Sequence, residues 1–227
     1  SLFKQNFRMD ESNMTNANTL SAGTSSAQAS ESGAPADAKR AAVSGFVGTL
    51  IEYYDFSLYG YMAVIIAPLF FPSGDPTVSL LAALAVFGTA YVVRPLGGIV
   101  FGHIGDKYGR KKALLGTLIC MGIGSTLMGL LPTFDQLGYF ATALLVLVRL
   151  LQGFSAGGEV GGSATFISES SPPHMKATFG AFTPMGSTGG FAVAAAVAGA
   201  VTAFTTPEQM TSWGWRIPFL LARPLTL

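Results

Sequence analysis

Charged side chains are scarce in this 227-residue chain: they make up 11% of it, and thirteen basic and twelve acidic residues leave a formal net charge of +1. Half of the residues are hydrophobic, so a soluble domain of this composition would lack the charged exterior it needs. The near-neutral balance likewise excludes a nucleic-acid partner, which would call for a basic surface. Cysteine is nearly absent. Cys120 stands alone in an apolar run, which excludes an internal disulfide framework and a cysteine metal site. The two histidines, His103 and His174, are too far apart in sequence to suggest metal binding. With no histidine pair, nucleophile elbow or phosphate-binding loop, an enzyme is not expected, and without a repeated pore-lining filter neither is a channel. The N-terminal stretch also lacks the basic start and apolar core of a secretory signal, so the first membrane helix is expected to act as the insertion signal.

What is present is a series of long apolar blocks, and the mean hydropathy is +0.48. From Ala41 onward, blocks of roughly twenty or more residues alternate with short polar loops, the length that spans about 30 Å of hydrocarbon at 1.5 Å per residue. They fall at 41–70, 78–104, 112–131, 138–168, 177–204 and from 215 to the end, separated by "FPSGDPT", "GDKYGRKK", "LPTFDQ", "SESSPPHMK" and "TTPEQMTSWGWR". The expectation is an all-α membrane protein with six spans, the last incomplete. Residues 1–40, rich in Ser, Ala, Asn and Thr, read as a disordered cytoplasmic tail, and 41–227 as one transmembrane bundle. Lys39, Arg40, Lys107, Arg110, Lys111, Lys112 and Lys176 precede the first span or lie in alternate loops after it, whereas the opposite loops hold Asp75, Asp135 and Glu208 with only Arg216 as a basic residue. Basic residues stay on the cytoplasmic side, so the N-terminus is placed inside.

Against this background "GTLIEYYDFSLYG" is anomalous, because Glu52 and Asp55 lie inside a span. An acid at a helix centre costs roughly 2.5 to 3.5 kcal/mol on insertion scales, and each large apolar residue returns only about 0.3 to 0.6. Their spacing puts both acids on one face, with Tyr59 one turn further along it. That face is expected to line an interior cavity. Arg94, Arg149 and Glu159 lie in other spans, and these five charges sum to minus one if all are ionised. The third acid then meets another cation or takes up a proton, and a carboxyl that exchanges between its two forms can carry a proton. Arg94 or Arg149 can offer a planar fork to an acidic substrate. The alternative for either arginine is a permanent internal ion pair, and for the acids a purely structural charge pairing.

The loop "GHIGDKYGRKK" carries Gly102, Gly105, Asp106, Gly109, Arg110 and Lys111 between the second and third spans. Its glycines permit a tight turn and close helix approach, and an acid near a helix end can engage another helix's positive N-terminus. This loop resembles the signature of the major facilitator superfamily. With "GTLIEYYDFSLYG", "RPLGGIVFGHIGDKYGRKK", "RLLQGFSAGGEVGGSATFISESSPP" and "WGWRIPFLLA", the chain resembles that superfamily's metabolite:proton symporter branch from Ala41 to Ala222, differing at Tyr53, where the branch commonly has Trp. The resemblance implies a six-helix N-terminal bundle of a major facilitator fold, its sixth helix truncated, and transport by alternating access of an organic acid or a betaine-like osmolyte. It implies proton-coupling or ion-pair roles for Glu52 and Asp55, a central cavity role for Arg94 and Arg149, and a gating role for Asp106 and Arg110 with Gly102 and Gly109. Glu159 and Tyr59 complete the candidate set for substrate and proton coupling. No cofactor is expected beyond the proton gradient, and the expected partners are a metabolite, protons, the plasma-membrane bilayer, and a C-terminal half or second copy. Arg223 falls where the branch usually has an apolar residue, which suggests a truncated or frame-shifted product or a fragment.

Small residues supply the remaining pattern. Gly153, Gly157 and Gly161 recur every four residues, as do Gly158 and Gly162, giving the fourth span two faces for close packing. "TPMGSTGG" places Pro184 near Gly189 and Gly190, where a kink is expected, with Ser187 and Thr188 as further candidates to face the cavity.

Overall fold

The structure, a computed structural model, describes residues 38–222, and among these it is helical with no strand. The tail assigned to 1–40 lies outside the described residues except for 38–40, which are already helical, and Arg223 lies outside them too. The long helices are α1 (38–70), α2 (Pro76–Tyr108), α3 (Arg110–Leu130), α4 (Tyr139–Ser170) and α5 (Phe182–Phe204), and α6 is described over Arg216–Leu220. Among the described residues Pro76–Tyr108, Arg110–Leu130, Tyr139–Ser170 and Pro173–Phe204 are long and apolar enough to cross a membrane. α1 is of matching length, and its acids dilute its apolarity.

The boundaries have local causes. Asp75 caps α2 by accepting from the Thr77 N–H at 2.8 Å, and Pro76 occupies the first turn, where its missing N–H costs nothing. α2 turns into α3 at Gly109, whose φ of +97° suits a residue without a side chain. α4 starts after a capped single turn, Phe134–Leu137, closed by Gly138 at φ +56°. The kink expected at Pro184 is not where the helix breaks. Pro184 lies in the first turn of α5, which then runs unbroken to Phe204, and the interruption falls earlier, between the short helix Lys176–Gly180 and Phe182. Two prolines do lie within long helices, Pro68 in the last turn of α1 and Pro95 of α2, next to Arg94; Pro95 removes the bond that the Tyr91 carbonyl would accept.

Small residues set the helix packing. An added Cβ would lie 2.1 Å from the Ala90 carbonyl oxygen at Gly153, 1.9 Å from that of Arg94 at Gly157, and 1.7 Å from that of Phe154 at Gly97. The backbones of α2 and α4 are therefore in direct contact, the arrangement available to helices that cannot rely on hydrophobic exclusion between them. The close approach ends at Gly161 of that same row, which meets nothing within 4 Å, and the other small face packs on side chains, Gly158 on Phe101 and Gly162 on Leu114. α5 lies on α1 in the same way, with Gly186 against the Phe46 carbonyl and Gly190 against that of Leu50.

At the far end of α1, Tyr54, Leu58, Met62, Ile66 and Phe70 are buried with Met128, Leu145, Trp215 and Phe219. The Tyr54 hydroxyl donates to the Pro218 carbonyl at 2.6 Å, joining α1 to α6, and Arg216 donates to the carbonyls of Leu131 and Ser212. Outside, Val92, Leu96 and Ile99 of α2 form an exposed apolar strip. Such a strip suits lipid or a second bundle and would be costly in water.

Candidate functional site

Within the bundle the buried charges divide into two groups. In the first, Asp55 of α1 faces Arg149 of α4, and neither side chain is exposed. Arg149 Nη1 lies 3.4 Å from Asp55 Oδ2, and the stronger partners of the carboxylate are neutral: Ser125 Oγ donates to Oδ1 at 2.6 Å, and Gln152 Nε2 donates to Oδ2 at 2.6 Å. Arg149 Nη1 also donates to Gln152 Oε1 at 2.8 Å, so the glutamine bridges the pair. Arg149 Nε and Nη2 have no hydrogen-bond partner among the described residues. Aromatic faces surround the guanidinium instead, with its carbon 4.2 Å from the Tyr59 ring centre, 5.0 Å from Phe56 and 5.8 Å from Phe87. Tyr59 is itself fixed by donating to the Ala83 carbonyl at 3.0 Å.

In the second group, Arg94 of α2 reaches Glu52 of α1, Nη2 to Oε1 at 3.0 Å. Glu52 is buried, but the Arg94 side chain is 19% exposed, which makes it the point where this cluster opens outward. The contact lacks hydrogen-bond alignment, so both Glu52 oxygens and Arg94 Nε are unsatisfied among the described residues. Phe56 and Tyr91 flank the Arg94 guanidinium at 4.3 and 4.5 Å. Phe56 thus touches both arginines and joins the two groups. Glu159 of α4 is buried, lies within the fields of Glu52 and Arg94, and has one oxygen without a hydrogen-bond partner. Its Oε1 fills the space beside Gly48, where an added Cβ would sit 2.1 Å away.

All six residues proposed from the sequence for coupling therefore meet in one region, in two linked groups: Asp55 and Arg149 with Tyr59, and Glu52 and Arg94 with Glu159. The sequence reading missed Gln152, Ser125, Phe56, Phe87 and Tyr91. Gln152 carried a usable signal, since it lies three residues after Arg149 and so on the same face. Ser187 and Thr188 do not join them; both donate to the Pro184 carbonyl at the head of α5.

The loop residues form a separate cluster at the α2–α3 corner. Asp106 pairs across the turn with Arg110 at 2.9 Å, the first residue of α3, and Arg110 lies 3.9 Å from Glu169 near the end of α4, a partner the sequence did not suggest. Gly109 supplies the left-handed turn, and no atom lies within 4 Å of a Cβ built at Gly102. Gly98, Gly102, Gly105, Gly158 and Gly162 line a cleft of about 200 Å³ beside Arg110. No group of three or more potential metal ligands occurs among the described residues.

A bundle of long apolar helices closed around paired charges defines a multi-pass membrane protein of the transporter type, and comparison with known proteins specifies it. The chain belongs to the sugar (and other) transporter family, whose sequence profile matches residues 41–227. Its relatives are major facilitator transporters rather than enzymes. It is 44% identical over 191 residues to the shikimate transporter of Escherichia coli K12, covering 84% of this chain and 44% of that protein. It is 40% identical over 189 residues to the glycine betaine/proline/ectoine/pipecolic acid transporter OusA of Dickeya dadantii, covering 83% and 38%. The fold matches the partially occluded inward-open xylose transporter XylE of E. coli with a TM-score of 0.74 at 16% identity, over 84% of this chain and 46% of that one. The fold is that of the N-terminal bundle of the major facilitator superfamily, and the chain spans less than half the length of these relatives.

Proposed function

We propose that this bundle forms the N-terminal half of a proton-coupled symporter for a small carboxylate-bearing metabolite, an organic acid or a betaine-like osmolyte, in the plasma membrane with its N-terminus in the cytoplasm. The observation that carries the reading is the division of labour between the two charge pairs. Asp55 and Arg149 are fully enclosed, and the carboxylate is held by Ser125 and Gln152 as well as by the arginine. Protonating Asp55 weakens its hold on Arg149 while the neutral partners keep it in place, which suits a site that loads and releases a proton. Arg94 is partly open, carries an unsatisfied Nε, and has a weakly aligned internal partner in Glu52. A substrate carboxylate can replace that contact with a bidentate one. The relatives are named for shikimate, proline, betaine, ectoine and pipecolic acid, which supports a carboxylate over a sugar.

In this mechanism the two halves rock about a central site. A substrate carboxylate at Arg94 displaces Glu52, and Phe56, in contact with both guanidiniums, transmits the shift to Arg149 and so to Asp55. Asp106, Arg110 and Glu169 brace the cytoplasmic end of the same half. The test is a binding screen by thermal shift, comparing organic acids and betaine-like osmolytes with sugars, on the chain and its Arg94→Gln variant. Carboxylates are expected to stabilise the parent and lose at least tenfold in affinity with Arg94→Gln. Equal carboxylate binding by the variant would refute the role given to Arg94.

A further inference from the structure

The two carboxylate oxygens of Asp55 have unlike partners, and the difference fixes where a proton can sit. Oδ2 receives Gln152 Nε2 at 2.6 Å and Arg149 Nη1 at 3.4 Å, both of them donors. The glutamine amide cannot turn round to accept, because its Oε1 takes a hydrogen from Arg149 Nη1 at 2.8 Å and the turned amide would set its own hydrogens against the guanidinium. A proton on Oδ2 would therefore face donors only. Oδ1 instead meets Ser125 Oγ at 2.6 Å, and the same hydroxyl lies 3.1 Å from the Met121 carbonyl one turn back on α3. A hydroxyl has one hydrogen and two lone pairs, so it serves one of these acceptors at a time. The charged or titratable groups that act on Asp55 are Arg149 of α4 and, on its own helix, Tyr54, while Arg94 of α2 is turned to Glu52. From α3 the neutral Ser125 reaches it.

Resting on the reading that Asp55 carries the transported proton, we propose that Ser125 is the reversing partner of that proton. With Asp55 ionised, the Ser125 hydrogen points to Oδ1. When the proton arrives it bonds to Oδ1, the Ser125 hydrogen swings to the Met121 carbonyl, and a lone pair of Oγ accepts the new acid hydrogen. No covalent bond of the serine breaks, and the site gains one proton in all. Ser125 Oγ accepts from Gln152 Nε2 at 3.4 Å in either state, and Oδ2 keeps its two donors throughout. Both oxygens of Asp55 and the serine hydroxyl thus stay partnered whether or not the proton is bound, which avoids the penalty of an unsatisfied buried group. What changes is the attraction between Asp55 and Arg149. Alanine at 125 would offer the acid no acceptor, whereas threonine would.

The readout is the Met121 carbonyl, which gains a hydrogen bond beyond its helical one when the serine reverses. The 227-residue chain, carrying methionine isotopically labelled at the carbonyl carbon, is reconstituted in lipid vesicles, and infrared difference spectra are taken between acid and alkaline buffer. Two features are expected: a carboxylic-acid band of Asp55, lost in Asp55→Asn, and one labelled carbonyl that moves to lower frequency as that acid band grows. The carbonyl shift is also lost in Asp55→Asn. It is lost without the acid band in Ser125→Ala and in Met121→Leu, which keeps the backbone and drops the label, and it is kept in Ser125→Thr. An Asp55 band with no carbonyl shift, or a shift that survives Ser125→Ala or Met121→Leu, would overturn the reversal and leave Asp55 as the proton carrier. Absence of the acid band at every pH would overturn both.

Discussion

Replacing Gly157 with alanine tests whether backbone contact between α2 and α4 positions the open charge pair. The added Cβ would lie 1.9 Å from the Arg94 carbonyl oxygen, 2.6 Å from its carbon and 2.8 Å from its Cα, where 3.0 Å is the practical minimum. All three are backbone atoms of a helix, so no rotamer relieves the clash, and the helices must part by roughly 1 Å at that point. Overpacking of this kind costs about 1–3 kcal/mol, against about 0.5–1 kcal/mol gained by exchanging glycine for alanine inside a helix. A net loss of about 1–2 kcal/mol is expected. The displacement also carries Arg94 with it and loosens its 3.0 Å contact with Glu52. Gly161, one turn along, meets nothing within 4 Å and is the matched control. Denaturant titration of the purified chain in micelles, followed by helicity, should show Gly157→Ala destabilised and Gly161→Ala unchanged or slightly stabilised. Equal stability of the two variants would refute the packing argument.

Three further outcomes are expected. Arg149→Gln leaves Asp55 buried without its cation and should cost on the order of 3–5 kcal/mol, and adding Asp55→Asn should restore much of it; simple additivity in that double-mutant cycle would argue against the pair. Tyr54→Phe removes the hydroxyl bonded to the Pro218 carbonyl and should cost about 1 kcal/mol in the same titration, whereas no change would mean that this bond contributes nothing to holding α6 beside its apolar packing and the Arg216 bond to the Leu131 carbonyl. Vesicles holding only the purified 227-residue chain should show no proton-coupled uptake, because alternating access uses two bundles around one site. Accumulation there would show that two copies of this half suffice.

Much of this arrangement was legible in the sequence because charge is conspicuous in apolar surroundings. Glu52, Asp55, Arg94, Arg149 and Glu159 stand out by their insertion cost alone, and a helical period places them on inward faces. Their pairing was not legible, since the distance between α1 and α4 depends on packing across the bundle. Ser125 gave no signal because serines and threonines in membrane helices commonly bond their own backbone. Ser125 does so too, to the Met121 carbonyl at 3.1 Å, while also donating to Asp55. The glycine rows announced close packing, but only the structure shows that Gly153 and Gly157 meet Ala90 and Arg94 while Gly161 meets nothing. Pro184 misled because a proline's effect depends on its position in the helix. In the first turn it interrupts no bond, and the sequence does not say where a first turn begins.

The central claim is that Asp55 carries the transported proton. The direct measurement uses the chain joined to the portion of the E. coli shikimate transporter that it does not cover, reconstituted in vesicles, with the external pH recorded on addition of a carboxylate substrate. The account predicts substrate-driven alkalinisation with the parent and none with Asp55→Asn, while substrate exchange between the two sides persists in the variant. Proton movement of equal size in Asp55→Asn would contradict it.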